Sequence, residues 1–320
     1  MKTKELKWIF QKYFHKPGIR LFNQPEVIKW ASGKSRRPRT MTDVNLQDWV
    51  GRKEEIQDRV YPTPAKAFAL TLDYRDFTTR EGDPLPELWH WLYFLPLVAR
   101  AEIGPDGHPK RGGFLPPVAL ERRMWASGKL TFHRDLFVGE EIAKTSEILK
   151  VSEKQGKAGR MVFVTVRHSI HSTKGVAVEE EQDIVYLPMP KAFVPAAPNP
   201  IPDDLQWKEA YSVDPVLLFR FSALTFNSHK IHYDLKYATE VEKYPGLVVH
   251  GPLQAMLLLE SAKRNNLGRK PASYHFRAMR PLFDFDQVSV CGRPNPDGGH
   301  DLYTANGDGN IAMQATISWR

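Results

Sequence analysis

Apolar positions along the chain fall into two similar successions of elements with a proline-rich stretch between them. In residues 41–187 an aromatic apolar segment, Leu88 to Val98, precedes three runs with strand-like alternation. These are Ile142–Val151, Met161–His171 and Val176–Tyr186, parted by turn residues at Gly156–Gly159 and Lys174-Gly175. In residues 205–320, Leu253, Met256, Leu257 and Glu260 fall on successive turns and predict a helix over Leu253–Arg264. Strands are predicted at Tyr274–Met279, Gln287–Gly292, His300–Thr304 and Ile311–Trp319. Pro296-Asp297-Gly298-Gly299 and Asn306-Gly307-Asp308-Gly309 supply the hairpin turns. A further strand is predicted over Leu217 to Phe226, and the Arg122-Arg123 pair reads as a solvated or ion-paired helix face. Residues 188–204 hold six of the 25 prolines, so that stretch is expected to run extended as a linker. An apolar helical segment followed by an antiparallel meander, twice over, predicts an α+β chain of two units, each a sheet wrapped on a central helix.

Charge alters the picture at one end only. The formal net charge is +8, yet residues 1–40 hold eleven Lys/Arg and two acids, leaving 34 basic and 35 acidic residues in 41–320. The body has no charge reason to seek nucleic acid. Residues 1–40 form a basic leader, with Leu6, Ile9, Phe10 and Tyr13 at helical spacing. Three readings fit it: an organelle transit peptide, a segment resting on an anionic membrane surface, or an extension dispensable for activity. The first implies a mitochondrial location, the last a cytoplasmic one. A single cysteine, Cys291, excludes an internal disulfide and a cysteine-ligated metal centre, and it fits a reducing compartment. No apolar run reaches the length of a membrane-spanning helix.

Chemistry concentrates in one segment, Arg220 to Asp234, whose polar end holds Asn227, His229, His232 and Asp234. It is followed by Tyr244-Pro-Gly-Leu-Val-Val-His-Gly-Pro-Leu253. Gly251-Pro252 places a proline where a helix starts, and the free N–H groups of that start favour a developing negative charge. A histidine in such a segment titrates near neutrality and can move protons. It can equally be a structural histidine bonded to a carbonyl. His229, His232 and Asp234 could also ligate a metal, although no further ligand cluster supports one.

These residues resemble the hydratase motif of the (R)-specific enoyl-CoA hydratases and MaoC-like dehydratases. The resemblance is closer to the subfamily of type 2 hydroxyacyl-thioester dehydratases and mesaconyl- and itaconyl-CoA hydratases. It rests on Phe221-Ser-Ala-Leu-Thr-Phe-Asn-Ser-His-Lys-Ile-His-Tyr-Asp234 and on the His250-Gly251 pair. In the first half it rests on Gly107-His-Pro-Lys-Arg-Gly-Gly-Phe-Leu-Pro-Pro-Val118, Arg122-Arg-Met-Trp125 and Glu180-Glu-Gln-Asp-Ile-Val-Tyr186. The resemblance implies a double hotdog fold, with the hydratase motif in the second half and a first half that only shapes the acyl channel.

It also implies a hydro-lyase acting on an enoyl thioester, with a short branched or dicarboxylic acyl-CoA such as mesaconyl-C4-CoA or itaconyl-CoA as the expected substrate. The alternatives are a 3-hydroxyacyl-[acyl carrier protein] dehydratase and a non-catalytic acyl-CoA-binding protein. His232 is expected as general base and acid, Asn227 as the residue that orients water, and the Gly251 N–H as the oxyanion donor. The wider family has an aspartate five residues before the histidine, and this chain has Asn227 there. An amide orients water but does not accept its proton near neutral pH. So either His232 works alone or a carboxylate arrives from elsewhere, Asp234 being the nearest in sequence. No cofactor, no metal, no nucleic acid and no integral membrane segment are expected, and a homodimer is.

Overall fold

The computed structural model describes residues 44–156 and 159–320. The basic leader lies outside the described residues. Alternating apolar positions build a ten-stranded antiparallel sheet, because period-two alternation puts one face of each strand on the core. The strands are β1 (Lys53–Arg59), β3 (Arg122–Phe132), β5 (Glu141–Gly156), β6 (Gly159–Ser172), β7 (Gly175–Leu187), β8 (Trp207–Ser212), β9 (Pro271–Ala278), β10 (Gln287–Pro294), β11 (His300–Ala305) and β12 (Ile311–Trp319). A separate small pair joins β2 (Pro84–Leu85) to β4 (Leu136–Phe137). The main sheet runs β1-β5-β6-β7-β3-β9-β12-β11-β10-β8. Five strands come from before the proline-rich stretch and five from after it, and they meet where β3 pairs with β9, Ser127–Thr131 opposite Arg277–Ser273.

The two sets share an order. Each opens with an edge strand and a short helix that begins at proline: β1 then α1 (Pro62–Thr71), β8 then α2 (Pro215–Leu224). Each closes with four strands, a three-strand meander (β5-β6-β7 and β10-β11-β12) whose last strand pairs with the strand that precedes the meander in the chain, β3 or β9. What lies between differs. In the second set it is α3 (Gly251–Arg264), whose Leu253, Ala255, Met256, Leu257, Leu258 and Leu259 are all buried. A helix apolar around most of its circumference has to be enclosed, and the sheet encloses it. Even its polar residues find partners inside: Gln254 Oε1 accepts from Thr304 Oγ1 at 2.9 Å, and Ser261 Oγ accepts from Trp207 Nε1 at 2.9 Å.

The first set lacks such a helix, contrary to expectation. Leu88 to Val98 holds only one 3₁₀ turn, Trp89–Leu92. Leu88 and Phe94 have φ of 70° and 55°, so the backbone leaves helical geometry on both sides of the turn. The apolar content is nonetheless core: Trp89 is buried, meets Phe68 edge-on at 4.9 Å and donates to Glu260 Oε1 of α3 at 3.0 Å.

Two further expectations are corrected. The segment predicted as a strand over Leu217 to Phe226 is mostly the helix α2. The Asp214 carboxylate accepts the Leu217 N–H at 2.7 Å, Pro215 opens the first turn, and Leu217, Leu218, Phe221 and Ser222 share a buried face. A nearly continuous apolar run is ambiguous between helix and buried strand, and this cap decides it. Arg122-Arg123 lies on the strand β3, not on a helix.

Candidate active site

The hydratase segment is a loop pinned from both sides. After α2, Asn227 accepts the His229 backbone N–H on its Oδ1 at 3.0 Å. A 3₁₀ turn, Lys230–His232, then carries the chain back into the core, and Asp234 Oδ1 accepts the Tyr237 N–H at 3.0 Å to start the next turn. On the other side stands a loop of the first half. Lys230 donates its N–H to Asp106 O at 2.9 Å, and Ser228 Oγ donates to Gly107 O at 2.5 Å. Gly107 has φ of +94°, and a Cβ there would lie 1.7 Å from Ser228 O. Only glycine permits this contact, so Gly107 sets how closely the two loops approach.

His232 is buried, and its Nδ1 faces Val248 O at 2.7 Å. A carbonyl only accepts, so Nδ1 carries the proton and Nε2 keeps its lone pair. Burial first, and His229 nearby second, pull His232 down to about 3, against a weaker upward pull from the Val248 bond. The ring is therefore neutral at physiological pH, as a proton acceptor must be. His250 stacks on it, with ring centroids 3.6 Å apart and planes at 18°. Ser222 Oγ lies 2.8 Å from His250 Nε2, which fixes that second ring. Burial, then His232 and His229, hold His250 well below the ordinary histidine range, and its Nδ1 has no hydrogen-bond partner among the described residues.

Gly251 follows directly and begins α3. As the first helical residue its N–H has no intrahelical acceptor. Its φ is not positive, and a Cβ there would meet nothing closer than 4.0 Å, at Met313 Cε and Trp125 O. The fold does not require glycine here, since a methyl group would find ordinary contact distances.

No carboxylate stands where the sequence places Asn227, and Asp234 is spent on its turn. The structure instead brings up Glu242, buried, with Oε1 3.1 Å from His229 Nε2 and Oε2 3.2 Å from Arg122 Nε. Arg122 also donates to the Tyr244 hydroxyl. The His229 ring meets His232 edge-on at 5.5 Å and lies 4.1 Å from His108, itself bonded to Asp106 at 3.0 Å. Asp106, His108 and His229 bring ligand atoms within 4.8 Å of one another. The metal set weighed from sequence, with His232 and Asp234, is not assembled. Glu242, His108 and Ser222 were not singled out in the sequence as site residues. Gly107-His108 and Phe221-Ser222 belonged to recognisable stretches, but nothing distinguished Glu242 from its acidic neighbours.

Beside the loop opens a cavity of about 430 Å³. Val98, Arg100 and Ile103 of the first half line one part, and Phe219, Ser222 and Asn227 line another. Ser222 thus links this cavity to His250 and, through the stacked ring, to His232.

Comparison with known proteins decides the family. The hydroxyacyl-thioester dehydratase type 2 family matches residues 88–284. A mesaconyl-C4-CoA hydratase of Chloroflexus aurantiacus is 41% identical over 284 residues, 87% of this chain and 99% of the relative. The chain belongs to the hydroxyacyl-thioester dehydratase type 2 family. As a member of it, the protein is a hydro-lyase. Its fold is the double hotdog. A Mycobacterium tuberculosis protein described as having that fold aligns with a TM-score of 0.51 at 13% identity, over 84% of this chain and 96% of its own. A MaoC-like dehydratase from Phytophthora capsici aligns at 0.63 with 10% identity, over 87% of this chain and 98% of its own. Among the described residues of this dehydratase-family chain, no helix is long and apolar enough to cross a membrane.

Proposed function

We propose that the protein adds water to a short dicarboxylic 2-enoyl-CoA of the mesaconyl-C4-CoA class, giving a citramalyl-CoA. The observation that carries this reading is the 41% identity to the mesaconyl-C4-CoA hydratase across nearly all of that relative. In the proposed step, water held near Asn227 attacks C3 and passes a proton to His232 Nε2. The C2=C3 electrons move onto the thioester oxygen, where the Gly251 N–H and the start of α3 stabilise the enolate. The imidazolium then returns the proton to C2, so one group serves as base and acid. The neutral, oriented ring of His232 supports the first role, and the place of Gly251 as the first residue of α3 supports the second.

Removal of water from a 3-hydroxyacyl thioester is the same step in reverse, and the family match favours it as the second reading, with the thioester on CoA or on an acyl carrier protein. The proposal includes a homodimer in the cytoplasm with no redox cofactor or metal. The test is turnover of mesaconyl-C4-CoA, itaconyl-CoA, crotonyl-CoA and a long-chain 3-hydroxyacyl thioester by the pure protein. Hydration of the dicarboxylic substrates at the highest kcat/KM is expected. A clear preference for the long-chain thioester would replace the first reading by the second, and no turnover of any would leave only a binding protein.

A further inference from the structure

We infer that Arg100 binds the distal carboxylate of a dicarboxylic enoyl-CoA, and that the first half of the chain thereby selects the substrate. This rests on the substrate reading above. Arg100, exposed, opens the 3₁₀ turn Arg100–Glu102 and is, among the described residues, the only charged one lining the cavity beside the hydratase loop. The rest of the lining is apolar or carries neutral polar groups, those of Ser222, Asn227 and Ser228 among them. Several other arginines next to acids are held by them, Arg122 by Glu242, Arg134 by Glu140 and Arg264 by Glu209. Arg100 has no carboxylate partner among the described residues. Glu102, two residues on, does not line the cavity.

The surroundings point to a ligand. Phe219 and Phe226 are 62% and 52% exposed, large apolar side chains left at a cavity rather than buried. A volume of about 430 Å³ suits an acyl group and the chain next to it. For an unsubstituted acyl chain, apolar walls are enough. A single guanidinium among them suits an anion, which it can hold through two parallel hydrogen bonds. The hydratase side of the same cavity is Ser222 and Asn227, so one ligand that fills it meets both Arg100 and the hydratase loop. In a dicarboxylic enoyl thioester that anion is the second carboxylate. The phosphates of CoA lie at the far end of the pantetheine arm.

The experiment compares kcat/KM for mesaconyl-C4-CoA and crotonyl-CoA in the native protein, Arg100→Leu and Arg100→Lys, after melting temperatures have shown all three folded. Loss of a charge-assisted hydrogen bond predicts that Arg100→Leu lowers the dicarboxylic-to-crotonyl ratio about 10- to 100-fold. Arg100→Lys, which keeps the charge without the fork, should lower it less. An equal fall on both substrates would mean that Arg100 meets the CoA phosphates, and would overturn the inference. A native ratio near one would overturn the substrate reading itself. A high native ratio left unchanged in Arg100→Leu would overturn the role of Arg100 alone.

Discussion

Each half of the molecule buries one histidine–glutamate pair, and the two pairs are nearly alike. In the first half His90 Nε2 lies 3.2 Å from Glu180 Oε2, and in the second His229 Nε2 lies 3.1 Å from Glu242 Oε1. All four residues are buried. Their surroundings differ. Trp91 Nε1 at 3.0 Å and Gln182 Nε2 at 2.8 Å complete the shell of Glu180. Burial pushes the Glu180 carboxyl up, but the bond and charge of His90, the charge of His168 and the Trp91 donor outweigh it and hold the group at about 2. That cluster ties strand β7 to the 3₁₀ turn that stands in for a helix. Glu242 is instead held by an arginine from β3, and its histidine lies edge-on to His232, whose Nε2 has no hydrogen-bond partner among the described residues. A buried ion pair is therefore no sign of a reactive site by itself. A neighbour with a free lone pair, beside a cavity and a helix start, is what separates the second pair from the first.

The sharpest test of that contrast is His232→Ala. Removal of the proton-transfer group should lower kcat about 100-fold or more, with the protein still folded. A folded His232→Ala protein with native turnover would end the catalytic assignment and leave the two halves equivalent.

Next come Glu180→Gln and Glu242→Gln, compared directly. Breaking either buried pair should cost about 3 kcal/mol of stability, read from denaturant unfolding. Only Glu242→Gln should also lower kcat, roughly fivefold, the size of a coupling of about 1 kcal/mol between contacting residues. Matching kcat losses in both variants would show that the effect is one of folding and not of position.

Asn227 should show a smaller effect that is more specific. Its Oδ1 is taken by the His229 N–H, so only the Nδ2 side is free to meet water. Asn227→Ala should lower kcat severalfold, less than His232→Ala. Asn227→Asp adds a negative charge near His232, which favours the imidazolium, raises the histidine's pKa and moves the rate profile to higher pH. An unshifted profile in an active Asn227→Asp protein would place residue 227 away from the base.

The smallest expected effect is on stability against pH, and depressed histidines in both halves contribute, His232 and His168 among them. Burial is the main reason that His232 is held at about 3 and His168 at about 4, against 6.5 for a free histidine. Below pH 6.5 the unfolded chain binds protons that the folded one refuses, so stability is full above that pH and falls as the pH drops toward those values. His168→Gln and His232→Gln should each flatten the decline in melting temperature between about pH 6.5 and pH 4. A native melting temperature that is level across that range would contradict both assignments.

Periodicity alone determined much of this protein. Seven strands, β5 to β7 and β9 to β12, and the helix α3 lie where alternation and 3.6-residue spacing place them, because a face that must be buried writes its period into the sequence. The family pattern around His232, Asn227 and Gly251 was equally legible, since those residues are close in sequence. Three things were decided only in three dimensions. Leu88 to Val98 has the composition of a helix, yet left-handed φ values at Leu88 and Phe94 confine it to one turn. Pro215 to Leu224 is helical because Asp214 caps it, which an apolar run does not reveal. And the carboxylate near His229 is Glu242, joined through Arg122 to a strand 120 residues earlier in the chain. Sequence spacing ranks Asp234 first because it is near along the chain, whereas electrostatic coupling depends on distance in space and on exclusion of water. Folding alone sets both of these.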